Sequence, residues 1–248
     1  MLLIRLSSFG DVVLTLAAAK AIKHALPRVT LAWAIEEPIA ELVANAPYVD
    51  EVFTTRTKSW RRTLTKRATC GEIAKFLSSA RGFAPDVIVD AQGLFKSAWA
   101  TFLVPAGRKV GFDFRSATEA INAFTTDERV DARGRAHVTD RALALAEHLT
   151  RSGPFERVAD VRHLAERSDP EVDAWLTEQA GAPFALLQPF SSARAKEWSA
   201  PDVVLFARRT AEAGLSCVVR WGPGERERAE RIVLDSGGSV RLAPPTGP

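Results

Sequence analysis

Cysteine is scarce in this chain of 248 residues: Cys70 and Cys217 are the only two, and they stand far apart. That usage excludes a disulfide framework and a cysteine-based zinc site, and it points to a reducing compartment. The four histidines are scattered, so no His/Cys cluster has metal-ligand spacing. No apolar run approaches the roughly 18 residues needed to cross a bilayer. The first apolar stretch is broken by Arg5 and Asp11 and lacks the layout of a signal peptide. A cytoplasmic protein is therefore expected. No Gly-x-Gly-x-x-Gly and no Gly-x-x-x-x-Gly-Lys-Ser/Thr loop occurs, which argues against dinucleotide enzymes and P-loop NTPases. There is no Asp-x-Asp triplet to chelate a metal-diphosphate. Acidic residues are also missing between Glu51 and Glu72, where Arg56, Lys58, Arg61, Arg62, Lys66 and Arg67 cluster around Trp60.

The remaining composition is ordinary for a globular chain, with 46% hydrophobic residues, 25% charged residues and a net charge of +3. Apolar runs and helix-periodic stretches alternate. Strands are expected at Leu2–Leu6, Val29–Ile35, Val52–Phe53, Val87–Val89 and Lys109–Gly111, and helices at Val12–Leu26, Glu37–Asn45, Glu72–Ala80, Gly93–Leu103 and His137–Arg151. Residues 54–69 read as a basic loop. After the punctuation of Ser152-Gly-Pro154 and Ser168-Asp-Pro170 a second alternation begins. It has strands at Phe184–Leu187, Leu215–Arg220 and Val240–Leu242, and helices at Glu171–Gln179, Pro201–Ala213 and Glu225–Asp235. The expectation is an α/β chain with two Rossmann-like domains facing a cleft: residues 1–155, a linker at 156–170, and residues 171–248. The second domain, with about three strands where a doubly wound domain has five or six, reads as truncated.

Four strand-to-helix turns carry candidate chemistry. In Ser7-Ser-Phe-Gly-Asp11, Gly10 allows close backbone approach and the helix N-terminus favours an ionised Asp11. Such a carboxylate can accept a proton from a sugar hydroxyl, yet Ser8 or Asp11 can equally be a helix cap. In Asp90-Ala-Gln-Gly-Leu-Phe-Lys-Ser97, Asp90 and Gln92 suit a polyol and Lys96 suits an anion; turn chemistry with a solvated lysine is the alternative. In Ser191-Ser-Ala-Arg-Ala-Lys-Glu-Trp198, the hydroxyls of Ser191 and Ser192 suit phosphate oxygens, and Lys196 can neutralise a developing diphosphate charge. Trp198 reads as packing for that loop. Glu225, in Trp221-Gly-Pro-Gly-Glu225, suits a ribose or simply starts a helix. His137 reads as structural. The basic stretch 54–67 suits a phosphorylated or carboxylated acceptor at a membrane surface, with nucleic acid the weaker functional option.

Together, in their order, several segments resemble the bacterial ADP-heptose:lipopolysaccharide heptosyltransferases, glycosyltransferase family nine. They are Leu6-Ser-Ser-Phe-Gly-Asp-Val-Val13, Asp90-Ala-Gln-Gly-Leu-Phe-Lys-Ser-Ala98, Gly111-Phe-Asp-Phe114, His137-Val-Thr-Asp-Arg141, Lys196-Glu-Trp198 and Trp221-Gly-Pro-Gly-Glu225. The Asp-Ala-Gln-Gly-Leu segment is similar to the heptosyltransferase I branch rather than II. The resemblance implies a GT-B fold and inverting, metal-independent transfer of L-glycero-D-manno-heptose from ADP-heptose to the Kdo of Kdo-lipid A, with no cofactor. It implies Asp11 as catalytic base and Lys196 facing the donor diphosphate, with Ser191, Ser192 and Glu225 around the donor. Ser8, Gly10, Arg61, Arg62, Gln92, Lys96 and Arg141 would face the acceptor. A monomer in peripheral contact with the cytoplasmic face of the inner membrane, without nucleic acid, is expected. The alternatives are a family-nine transferase with another donor or acceptor, or an inactive acceptor-binding fragment. Two departures stand out: Thr118 replaces a basic residue in Ser116-Ala-Thr-Glu-Ala120, and the family's C-terminal Asp-Thr-Gly-x-x-His segment does not occur.

Overall fold

A computed structural model describes residues 1–165, 168–179, 181–191 and 194–245. The chain forms two compact units, Met1–Glu166 and Arg167–Pro248.

The first unit is built on six parallel strands: β1 (Leu2–Ile4), β2 (Ala32–Glu36), β3 (Glu51–Thr55), β4 (Val87–Asp90), β5 (Arg108–Phe112) and β6 (Glu128–Val130). Their spatial order is β3-β2-β1-β4-β5-β6. Strand succession therefore reverses between β1 and β4, the place where open α/β sheets bind ligands. Both faces are covered, so strand residues of both parities are apolar. Leu3, Trp33 and Ile35 pack with helices α1 (Phe9–Ala25), α2 (Glu41–Ala44) and α6 (Val138–Thr150). Leu2, Ile4, Ala32 and Ala34 face α3 (Thr57–Thr63), α4 (Arg67–Gly82) and α5 (Phe95–Leu103). Each fully buried Leu or Ile contributes about 1.5–3 kcal/mol. Ala17, Ala18 and Ala19 let α1 approach its neighbours, and α1 ends before Pro27 as a helix must.

Two sequence expectations need correction. The basic stretch 54–69 is not a loop; it holds α3 and the start of α4. The cause is Trp60, buried between Phe76 and Trp99 with ring centroids 6.4 and 5.8 Å away, its indole N–H donating to Glu72 at 2.7 Å. Burying that ring winds α3 and turns its arginines outward. The segment 156–165, expected as a linker, is attached to the first unit. Tyr48 donates to the Asp160 carbonyl, and buried His163 meets the Leu42 carbonyl at 2.9 Å beside α7 (Arg162–Ala165).

The second unit holds α8 (Pro170–Glu178), a parallel sheet β7-β8-β9 (Phe184–Leu187, Ser216–Val219, Val240–Leu242), and helices α9 (Ala200–Glu212) and α10 (Arg226–Asp235). Asp169 caps α8 and Ser199 caps α9, each followed by proline in the first turn. Val203, Ala207, Cys217, Val219, Ala229, Ile232 and Val240 form its core.

Candidate active site

At the switch point, the loops leaving β1 and β4 lock onto each other. Asp90, the last residue of β4, is fully buried and accepts five hydrogen bonds. Its Oδ1 takes the backbone N–H groups of Gln92 and Gly93 at 2.9 and 3.0 Å and the Ser97 hydroxyl at 3.1 Å. Oδ2 takes Thr101 Oγ1 at 2.9 Å and Asn122 Nδ2 at 2.7 Å. Asp90 is therefore spent on the fold and not on a polyol. Gly93, at φ +66°, makes the turn that lets its own N–H reach Asp90.

Gln92 is buried, and its side-chain oxygen accepts the N–H groups of Leu6 and Ser7, each at 3.0 Å. Two donors facing one atom fix it as the oxygen. The amide nitrogen is left for the cavity that Gln92 lines.

Arg5, just past β1, is 7% exposed. Its Nη2 lies 2.5 Å from Asp11 Oδ2, its Nη1 donates to the Ala91 carbonyl at 2.6 Å, and its Nε has no partner among the described residues. Burial pushes the guanidinium pKa down, and the adjacent Asp11 opposes that shift. The Ser8 hydroxyl donates to the same Asp11 oxygen at 3.0 Å. Asp11 thus does serve the start of α1, but through Oδ2; Oδ1 has no hydrogen-bond partner among the described residues. A Cβ placed on Gly10 would meet no atom within 4 Å, so the fold alone does not demand glycine there.

Arg5, Asp11, Gln92, Phe112, Thr118 and Arg141 line one cavity of about 260 Å³. Arg141 is anchored by donation to the Ser116 carbonyl, with its guanidinium 4.9 Å from the Phe112 ring centroid. Two arginines and one carboxylate give this cavity a net positive lining, suited to an anion that presents a hydroxyl. Lys96, at the start of α5, meets the Ser7 hydroxyl, and burial pushes its pKa down. It shares a second, more apolar cavity of about 450 Å³ with Trp60, Arg61, Leu64, Phe95 and Trp99. Arg62 is exposed and lines a third hollow with Glu36 and Glu37, apart from Arg61. His137 caps α6 by accepting the Thr139 N–H at 3.3 Å.

In the second unit, Lys196 ends a short 3₁₀ turn, Arg194–Lys196, and is exposed. Ser191 donates its backbone N–H to Glu197 at 3.4 Å, and Glu197 pairs with Arg228 at 2.7 Å. Ser192 lies outside the described residues. Trp198 packs edge-on against Phe206. Glu225 accepts the Gly222 N–H at 2.7 Å, so one of its oxygens closes the loop before α10. Among the described residues no group of His, Cys, Asp and Glu is placed to hold a metal, and no helix is long and apolar enough to cross a membrane.

Arg5, Thr101 and Asn122 are the residues that reading the sequence missed. Arg5 had a signal, a cation directly behind an apolar strand. Asn122 had none, because it reaches Asp90 from 32 positions away.

Residues 73–247 match the family model described as glycosyltransferase family 9 (heptosyltransferase). The chain is 31% identical over 236 residues to lipopolysaccharide heptosyltransferase 1 of Pseudomonas aeruginosa, covering 93% of this chain and 63% of that protein. It is 26% identical over 235 residues to the enzyme of the same name from Escherichia coli K12, covering 93% and 71%. Its fold superposes on E. coli heptosyltransferase WaaC with ADP-2-deoxy-2-fluoro heptose at a TM-score of 0.83, with 23% identity, over 99% of this chain and 76% of that one. E. coli ADP-heptose lps heptosyltransferase II superposes at 0.70, with 15% identity, over 97% and 71%. The α/β architecture is thus that of the GT-B heptosyltransferases, and the chain spans 63% of the length of the Pseudomonas relative. By the family model and by this similarity, the chain belongs to glycosyltransferase family 9, the heptosyltransferases.

Proposed function

We propose that this chain carries the acceptor-activating site of an inverting heptosyltransferase. It would move L-glycero-D-manno-heptose from ADP-heptose to a Kdo hydroxyl of Kdo-lipid A during lipopolysaccharide inner-core synthesis. The observation that carries the reading is Asp11, held through Oδ2 by Arg5 on the wall of a cation-lined cavity at the sheet's switch point. The names of the relatives, and the ADP-sugar in one solved relative, support the choice of sugar and nucleotide.

In this mechanism Arg141 and the Gln92 amide hold the anionic acceptor. Asp11 takes the proton of the attacking hydroxyl, and that oxygen forms a bond to the anomeric carbon. The bond from that carbon to the diphosphate oxygen breaks, and its electron pair leaves with ADP. Lys196 offsets the charge that develops on the diphosphate, so the step calls on side chains and no metal. Ser191 and Ser192 would contact the phosphates, and Glu225, through its remaining oxygen, the ribose. Arg61 and Lys96 extend the acceptor side, and the enzyme works as a monomer at the cytoplasmic face of the inner membrane.

The test is transfer from ADP-heptose to Kdo-lipid A by the gene product that carries this chain. Asp11→Asn is expected to lower kcat by about 10²–10⁴-fold. A near wild-type rate in Asp11→Asn refutes the base assignment. Thr118, an uncharged residue on the cavity wall, favours a second reading in which the acceptor differs from Kdo-lipid A. A panel of acceptors separates the two by relative kcat/KM.

A further inference from the structure

The first unit leaves a bulky apolar face uncovered. On α5, Phe95 and Phe102 are seven residues apart and so share one side of the helix. Beside α5 runs the 3₁₀ turn Ala120–Thr125, which displays Ile121 and Phe124. Phe102 is 68% exposed and Phe124 is 73% exposed. Phe124 meets Phe114 edge-on with ring centroids 4.9 Å apart, and the Arg129 guanidinium lies over the Phe114 ring. Exposing large aromatic side chains forgoes their burial, and contiguous exposed apolar groups mark an interaction surface.

Charge indicates what covers it. The Lys109 ammonium donates to the Phe102 carbonyl at 3.1 Å, Arg81 donates to the Leu103 carbonyl at 3.0 Å, and Arg61 lines the cavity beside Phe95. Acids stand at the same surface, among them Glu128, which pairs with Arg108 at 2.6 Å. Glu119 is engaged with the Phe95 N–H, and Asp127 acts on Lys109. Cations therefore outnumber acids around an aromatic centre, the arrangement that suits headgroup phosphates over acyl chains. The surface is also continuous with the candidate site, because Phe95 precedes Lys96, whose ammonium reaches Ser7. A bilayer-anchored acceptor at that site belongs to the transfer reading, whereas the apolar face and its cationic rim stand without it.

We propose that the face formed by α5 and the adjoining 3₁₀ turn docks on an anionic bilayer, with Phe102 and Phe124 entering the boundary between headgroups and acyl chains. Docking there brings the N-terminal end of α5, and with it Lys96, to the lipid surface. A lipid-anchored sugar can then reach the cavity without leaving the membrane.

The test is flotation of the full chain with vesicles of phosphatidylethanolamine and phosphatidylglycerol, against phosphatidylcholine alone, without donor or acceptor. Binding to the anionic vesicles is expected, weakened by salt, and weak on phosphatidylcholine. Phe102→Ser/Phe124→Ser is expected to cut partitioning by about tenfold or more with an unchanged melting temperature. Lys109→Gln/Arg129→Gln is expected to remove part of the salt dependence. The proposal is overturned by no retention on anionic vesicles at low salt, or by equal retention of the aromatic double variant. A dimer in light scattering that this variant abolishes would also overturn it, since a second copy would then be the occupant. Vesicle binding that persists while Asp11→Asn keeps full transfer activity would sink the transfer reading alone.

Discussion

Arg5 and Asp11 form an ion pair of unequal burial: Nη2 stands 2.5 Å from Oδ2, with the arginine side chain 8% and the aspartate side chain 33% exposed. The arginine depends on the aspartate more than the reverse, because water solvates the one-third exposed Asp11 far better than it does Arg5. Asp11→Ala is therefore expected to lose about 2 kcal/mol of stability, less than the roughly 3–5 kcal/mol of a fully buried pair. Arg5→Met is expected to cost about 1 kcal/mol or less, and the double variant to recover most of the Asp11→Ala loss. Denaturant titration of the four species measures the coupling; additivity within about 0.5 kcal/mol would show that the pair is not energetically real.

Tyr48 ties the 156–165 segment to the body of the first unit, and burial pushes its pKa up to about 12 from 10.0, with Asp160 adding to the rise. Between pH 10 and 12 the unfolded chain has released this proton and the folded chain has kept it, so unfolding gains as pH rises. Stability is expected to be intact below pH 10 and to fall as pH approaches 12. Tyr48 is the only tyrosine in the chain, so tyrosinate absorbance follows it directly. In Tyr48→Phe the alkaline loss is expected to flatten; an unchanged slope would assign it to lysines.

Much of the fold was legible because it rests on local patterning. The strand at Phe184–Leu187, the helix end just before Pro27 and the helix start beside Pro201 follow from apolar period and from proline, and each lies where those signals put it. The stretch around Trp60 was misread because six cations outweigh one aromatic ring in composition, whereas in the fold that one ring decides the local structure. Asp11 was ambiguous between cap and base for a physical reason: one oxygen contacts Ser8 and Arg5, and the other is left for chemistry. Asp90 looked like a ligand for sugar because its donors, Thr101 and Asn122, arrive from outside the motif.

Asp90 should thus behave as a structural residue. Asp90→Ala is expected to cost about 3–5 kcal/mol, because it orphans the Gln92 and Gly93 amides and the Asn122 side chain together. Asn122→Ala removes one of the five donors and is expected to cost about 1–2 kcal/mol. Urea midpoints compare them. Equal losses would mean that the network does not act through Asp90.

Gln92 separates support from recognition. Its oxygen holds the Leu6 and Ser7 amides, while its nitrogen is left for the cavity beside Asp11 and Arg141. Gln92→Glu keeps an oxygen for both amides but loses the N–H donors and adds a negative charge to the cavity. Its melting temperature is expected to stay within a few degrees of wild type, while KM for an anionic acceptor rises about tenfold or more. Gln92→Leu removes the oxygen as well, leaving the buried Leu6 N–H and the half-buried Ser7 N–H unpaired, and is expected to lose about 2 kcal/mol or more together with activity. Thermal unfolding alongside steady-state kinetics resolves the pair. If Gln92→Glu matches wild type in both KM and kcat, the amide nitrogen does not touch the acceptor, and Arg141 is left as the anion's contact in that cavity.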